Sequence, residues 1–275
     1  MSKRRFSFPY LLWMGIFIVV PLFLVIFYAF TENSSGKIMF TLDHIKAIFE
    51  PVYLKVIGRS LYMSLIATVV CFILGYPAAM ILASKDFAKK TTMLILIVLP
   101  MWMNFLLRTY SWLSLLENEG LINRFLEWMG AGQVQLMYNN FAVVLGMVYN
   151  FLPFMILPIY SVLVKIDKNV IEAAKDLGAN SYKVFGKVIF PLSVPGVISG
   201  ITMTFMPALS TFVISRLLSG GKITLIGNII EQQFTVTGDW GLGSALSLLL
   251  MVLIFVSMIF INKYGDESVG AGGLL

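Results

Sequence analysis

Six long apolar stretches alternate with shorter polar ones along the chain: Tyr10–Phe30, Leu61–Ser84, Thr91–Leu116, Phe141–Val164, Val188–Ser215 and Trp240–Asn262. Each is a continuous run, and each reaches the roughly 20 residues that a helix needs to cross a hydrocarbon core about 30 Å thick. Barrel strands would instead put apolar residues at every second position. Five of the runs carry no charge, and the third carries one, Arg108. The pattern predicts an all-α integral membrane protein of six spans, forming one membrane domain over residues 1–275. A large polar loop, Lys165–Lys187, separates the fourth span from the fifth.

Composition agrees with the pattern. The chain is 59% hydrophobic and 12% charged, whereas a soluble domain carries about 25% charge. The net charge of +6 is no signal for nucleic acid here, because it follows from where Lys and Arg lie. With the N-terminus inside, the inner segments hold twelve of them and the outer segments seven. That bias predicts that both termini and the Lys165–Lys187 loop are cytoplasmic. The clearest element is the short loop with Lys85, Lys89 and Lys90. Lys3, Arg4 and Arg5 precede an apolar run of 21 residues, too long for a signal-peptide core, so it is read as a retained first span. Short interfacial helices are expected in the outer loops, and a tail without fixed structure after Lys263. The single cysteine, Cys71, and the single histidine, His44, offer no metal cage, and Cys71 is expected to be a small buried hydrophobe.

Prolines mark the spans that bend. Pro153 and Pro158 lie in the fourth, and Pro191, Pro195 and Pro207 in the fifth. Each removes a backbone donor, which is tolerated in lipid where a neighbour or a water-filled path takes up the freed carbonyl. Gly196 and Gly200 allow close helix approach, within the chain or against a second membrane subunit. Counted along a straight helix from Thr91, Arg108 falls about 25 Å on. It is expected to snorkel to the outer headgroups, or else to face a pathway or pair with an acid such as Glu231 or Asp239. Trp102, Asn104, Tyr110, Tyr149 and Asn150 bring aromatic and amide groups into the third and fourth spans. Aromatic faces suit an ammonium ion, and these five are the candidate substrate-path residues.

The Lys165–Lys187 loop carries the sharpest signal. Asn169 followed by Glu172 reads as a capping-box start. Val170, Ala173, Ala174 and Leu177 share one helical face, and Gly178 stands where a left-handed terminator is wanted. Asn180 or Ser181 then starts the helix leading into the fifth span. A helix of about two turns is not stable alone, and its flat alanine face predicts a protein partner.

Glu172-Ala173-Ala174, three residues, Gly178, nine residues, then Val188-Ile189-Phe190-Pro191 resembles the cytoplasmic signature of binding-protein-dependent, ATP-driven importer permeases: Glu-Ala-Ala, three residues, Gly, nine residues, Ile, any residue, Leu-Pro. Val188 and Phe190 stand in place of Ile and Leu. The resemblance implies a type I ABC importer permease fold. It also implies that Glu172, Ala173, Ala174, Asp176, Gly178 and Pro191 belong to a coupling helix that docks on a separate ATPase. Phe40–His44, Leu74–Pro77, Leu152–Pro158, Asp176–Ala179, Leu225–Asn228 and Asp239-Trp240 further resemble the B-type spermidine/putrescine permeases. That likeness implies a C-type partner permease, an ATPase dimer, an extracytoplasmic polyamine-binding protein and a bacterial inner membrane.

The chain has no phosphate-cradling loop of its own, since Gly221-Lys222 is followed by Ile223 and preceded five residues earlier by Arg216. Hydrolysis is expected elsewhere, and no cofactor, metal or catalytic group is expected here. The other readings are an ABC importer permease for another small solute and, less well supported, an ion-coupled secondary transporter. The latter would normally need a carboxylate inside a span, and none of the six runs has one.

Overall fold

The computed structural model describes Tyr10 and residues 12–34, 37–84 and 87–270. Among the described residues, five helices are long and apolar enough to cross a membrane: α1 (Leu12–Phe30), α3 (Pro51–Ser84), α7 (Asn140–Leu163), α9 (Ser181–Ser210) and α12 (Trp240–Gly270, apolar to Ile261). A sixth span exists only as a bent pair, α4 (Phe87–Trp102) and α5 (Phe105–Leu116), with 96° between the segments on either side of the break. The shorter elements are a hairpin of β1 (Thr31–Ser34) and β2 (Lys37–Phe40), then α2 (Asp43–Ala47), α6 (Leu121–Trp128), α8 (Lys168–Asp176), α10 (Val213–Ser219) and α11 (Ile226–Gln232).

Four expectations change. The third span is not continuous: it breaks at Met103-Asn104, and Arg108 lies beyond the break. The second span begins at Pro51, ten residues before the apolar run, because proline suits the first helical position and nothing in Lys55 or Arg59 forbids a helix that outruns the membrane. At 34 residues it is about 51 Å long. The fifth span ends at Ser210, where Thr211 turns extended (φ −66°, ψ 140°) before α10 starts. Finally, α12 continues to Gly270, where a tail without structure was expected.

Two prolines inside long helices are accommodated in the same way. Five-residue π turns at Gly15–Val19 and Phe185–Ile189 end two residues before Pro21 and Pro191. The N–H of Val20 reaches back to the Gly15 carbonyl, and that of Phe190 to the Phe185 carbonyl. The wider turn takes up the donor lost at the proline.

The chain divides into two compact units. The first, residues 1–59 with 225–254, holds α1, the hairpin, α2, the start of α3, α11 and the first part of α12. Its core is Ala29, Ile48, Leu242, Ala245 and Leu246. In the hairpin Thr31 pairs with Phe40 and Ser34 with Lys37, and the Thr41 N–H donates to the Phe30 carbonyl at 2.9 Å. The Asp239 carboxylate caps α12 by accepting from the Leu242 N–H at 2.9 Å.

The second unit, residues 60–224 with 255–275, is built on α7 packed against α9. Small residues let the helices approach. Gly196 lies against the Pro158 carbonyl and Ile159, and Gly200 against Met155. Gly75 of α3 lies against Met155 and Ile156. Cys71 is fully buried, its thiol facing the Val148 carbonyl at 3.7 Å, in line with its reading as a small core residue. Tyr76 shares a 2.7 Å hydrogen bond with Ser193 inside a ring cluster of Phe72, Phe185 and Phe190.

Candidate functional site

The loop singled out by its sequence is a nine-residue helix, α8, finished at both ends by its own chemistry. Its N-cap is Asp167, not Asn169: the Asp167 carboxylate accepts from the Asn169 N–H at 2.9 Å and from the Asn169 amide at 3.4 Å. An aspartate two residues earlier satisfies the first-turn donors, so the spacing of Asn169 and Glu172 goes unused. At the other end Gly178 has φ +80°. Its N–H donates to the Lys175 carbonyl at 2.8 Å, and the Ala179 N–H to the Ala174 carbonyl at 3.1 Å. That pair of bonds is the Schellman arrangement, which needs a left-handed residue at the turn. Asn180, one of two expected starters, caps the next helix by accepting from the Lys183 N–H at 2.9 Å.

Only Ile171 and Ala174 of α8 turn partly inward. Ile171 lines an apolar cleft of about 250 Å³ together with Met80, Ser84, Leu163, Ile166 and Ile189. The rest of the predicted apolar face is open: Val170 is 46% exposed and Leu177 89%. Glu172, Ala173 and Asp176 are exposed, as is Pro191, and Tyr182 just beyond is 88% exposed.

The five candidate path residues stand in different local settings. Trp102 ends α4 with 85% of its surface open. Asn104 is a helix cap, accepting from the Leu106 and Leu107 N–H groups at 2.9 and 3.3 Å. Tyr110 is 51% exposed on α5. Tyr149 meets Trp112 edge-on at 5.2 Å between centroids, a partner that the sequence did not single out. Asn150 is buried; its amide donates to the Gly146 carbonyl at 2.9 Å, and its oxygen has no partner.

Arg108 does not snorkel. It is 8% exposed, and its Nε and Nη1 have no hydrogen-bond partner. The bend turns α5 away from the line of α4, so the distance counted along a straight helix does not apply. No periodicity signals that burial.

Residues 2–265 match the family described as binding-protein-dependent transport system inner membrane component. The chain is 38% identical over 247 residues to the spermidine/putrescine transport system permease protein PotB of Escherichia coli K12, covering 88% of this chain and 90% of that one. The same protein of Haemophilus influenzae is 38% identical over 253 residues, 89% and 88% of the two chains. The inner membrane ABC transporter permease protein YdcU of Escherichia coli is 30% identical over 273 residues, 93% and 87% of the two chains. Among solved structures, a bacterial ABC transporter that imports alginate superposes with a TM-score of 0.81 at 16% identity, over 96% of this chain and 94% of that one. The MetNI methionine ABC transporter gives 0.59 at 16% identity, over 82% and 98%. The apolar helices, the Glu-Ala-Ala…Gly loop and these likenesses place the chain in the binding-protein-dependent transport system inner membrane component family, as a multi-pass permease subunit of an ABC importer.

Proposed function

We propose that this chain is one of two permease halves of a polyamine importer, and that it couples to a separate ATPase through α8. The whole of residues 1–275 acts as one permease domain in this reading. The coupling proposal is carried by one observation: a short helix, capped at both ends, whose Val170, Ala173 and Leu177 have no partner of their own. Uncovered apolar side chains beside Glu172 and Asp176 suit a groove in another protein, with the acids setting register. Ala173 and Ala174 allow close approach, and Pro191 with its π turn sets how α9 leaves the loop. The substrate class rests on the spermidine/putrescine permeases, to which the chain is similar over most of its length. A C-type partner permease, an ATPase dimer and an extracytoplasmic polyamine-binding protein complete the assembly. One of the alginate transporter structures was solved in complex with an alginate pentasaccharide-bound periplasmic protein.

Co-expression with the neighbouring subunits, co-purification and uptake of radiolabelled spermidine and putrescine into proteoliposomes test this reading. ATP-dependent uptake of either is expected; a complex that assembles but takes up neither refutes the substrate class.

In this reading both termini and α8 lie in the cytoplasm, on the Lys and Arg asymmetry of the loops. Ser181 is exposed at the start of α9, so cysteine there is expected to resist a membrane-impermeant thiol reagent in intact cells and to react after permeabilisation. Rapid reaction in intact cells would reverse the topology.

The path runs between the two permease halves, with Trp102 and Tyr110 offering open aromatic faces and Tyr149 steadied by Trp112. A cation that sheds water needs such partners. The carboxylates come from the partner subunit or the Glu117–Glu127 segment, since the spans have none. Trp102→Ala and Tyr149→Ala are each expected to lower polyamine uptake by about tenfold, the scale of a desolvated cation–π contact, with the complex still assembled. Normal uptake in both would move the lining elsewhere.

A further inference from the structure

Tyr138, two residues before α7, is held in a conformation that its residue type avoids. Among the described residues it alone, glycine aside, has a positive φ, +62°. The left-handed region is costly for a residue with a Cβ, and a bulky one stays there only where its surroundings fix it from several sides. Here they do. The Tyr138 N–H donates to the Leu218 carbonyl at 3.0 Å, which ties it to the end of α10. Asn139, the next residue, caps α7 by accepting from the Ala142 N–H at 2.9 Å, and its amide donates to the Gln135 carbonyl at 3.0 Å. Gly220 lies against the ring: a Cβ there would stand 2.6 Å from Cδ1 and 2.8 Å from Cε1.

The loop after α10 is shaped as closely. Gly220 and Gly221 are both left-handed, at φ +57° and +78°. The Ser219 hydroxyl accepts from the Ile223 N–H at 3.1 Å, and the Lys222 N–H donates to the Ser219 carbonyl at 3.1 Å. This tight loop sets the Lys222 ammonium over the Tyr138 ring, 5.3 Å from its centroid, within the reach of a cation–π contact. Lys222 is exposed, and among the described residues no carboxylate pairs with it. An ammonium that stays hydrated is held by a ring face only weakly. A strained tyrosine and two left-handed glycines therefore present one aromatic face to one primary ammonium, and the hold is loose enough to be exchanged.

We propose that the Tyr138 ring face is a docking site for the terminal ammonium of the transported polyamine, and that Lys222 is its resident stand-in, displaced when substrate arrives. The proposal rests on the polyamine reading above and adds a site built within this one subunit. A lysine side chain ends as a polyamine does, in a primary ammonium with three N–H donors and no acceptor on a flexible methylene chain. A place shaped for the one takes the other. In the topology proposed above, Tyr138 lies at the outer end of α7 and Lys222 follows α10 on the same side, so the site meets substrate before the path does. Exchange of one ammonium for another keeps a cation over the ring, so neither loop has to rearrange. The negative face of the ring offers an anion nothing.

The test uses the assembled transporter with its lysines carrying isotope-labelled dimethyl groups, a change that keeps their charge, read by nuclear magnetic resonance. The Lys222 methyl signal, identified by its loss in Lys222→Arg, is expected upfield of exposed lysines because of the Tyr138 ring current. Spermidine is expected to return it to the exposed position, where sodium chloride of equal ionic strength does not. A parent signal already at the exposed position, one that spermidine leaves in place, or one that sodium chloride moves as far overturns the site. Uptake into proteoliposomes at spermidine well below saturation is the second measurement. Lys222→Gln is expected to raise it by about two- to fivefold and Tyr138→Leu to lower it by a similar factor, the scale of an exposed cation–π contact, and the double variant to match Tyr138→Leu. Unchanged or lower uptake in Lys222→Gln makes the lysine a latch between the loops and overturns the proposal. A gain that persists in the Tyr138→Leu background is general charge repulsion and overturns it too. The spectra and Lys222→Gln decide the matter even where Tyr138→Leu fails to assemble. In each of these cases parent uptake of spermidine is intact. A parent complex that takes up no polyamine instead overturns the functional reading itself.

Discussion

Gly178→Val is expected to abolish ATP-driven uptake while leaving the subunit in the membrane. Gly178 has φ +80°, and nothing lies within 4 Å of the position a Cβ would take. The substitution therefore meets no clash, and its whole cost is conformational. A left-handed backbone costs an ordinary residue about 1–2 kcal/mol, and a β-branched residue is a genuine outlier there. The penalty falls on α8, nine residues long and too short to persist without its caps. Relieving the strain gives up the bonds from Gly178 to Lys175 and from Ala179 to Ala174. It also swings Leu177 and Tyr182, the two most open apolar side chains of the loop. Gly178→Asn is the informative companion, because asparagine visits the left-handed region readily; it is expected to keep a substantial part of the uptake. Uptake into proteoliposomes, with co-purification of the ATPase measured on the same preparations, separates the cases. Full uptake in the valine variant would remove this terminator from the coupling mechanism.

Much of the architecture was legible because the membrane makes simple demands. An uninterrupted apolar run such as Phe141–Val164 has to become a helix, and α7 (Asn140–Leu163) follows it almost residue for residue. Gly178 was legible for a different reason: one residue type fits a left-handed terminator, and the apolar spacing before it fixed where the terminator had to be. The break in the third span was not legible. Apolar residues continue on both sides of Met103, and the bend depends on a single amide, that of Asn104, capturing the Leu106 and Leu107 N–H groups. In the sequence that residue looked like a polar group for substrate. Arg108 was misplaced as a consequence. The N-cap of α8 was missed because Asp167 and Asn169 both suit the role, and spacing alone does not choose between them. The five path candidates were chosen by residue type, which carries no information about which helix face is open. Trp112 could be found only once α5 and α7 were packed.

The Gly196–Gly200 pair had two readings in the sequence, and the structure uses it inside the chain. Gly196→Val is accordingly expected to remove the folded subunit from the membrane altogether. A Cβ at 196 would stand 2.9 Å from the Pro158 carbonyl oxygen and 3.1 Å from the Ile159 Cα. Those are backbone atoms of α7, which cannot rotate aside as a side chain tip would. The two helices must part, and overpacking of this kind costs typically 1–3 kcal/mol for added methylenes, with the branched methyl groups of valine adding to it. The α7–α9 contact is the principal packing of its unit, so the loss has no second core to fall back on. Gly200→Ala is expected to be milder: its nearest neighbour is the Met155 sulfur at 2.9 Å, on a flexible chain, although the Met155 carbonyl at 3.1 Å still limits relief. Gly186→Ala serves as the control, being exposed with no atom within 4 Å of the new Cβ. Fluorescence-detected size exclusion of tagged variants, with a thermal ramp, ranks them. The expected order of folded material is Gly186→Ala equal to the parent, Gly200→Ala reduced, Gly196→Val absent. A Gly196→Val subunit that is monodisperse and as heat-resistant as the parent, yet fails to pair with the second permease, would assign this glycine to the interface between permeases and not to the core.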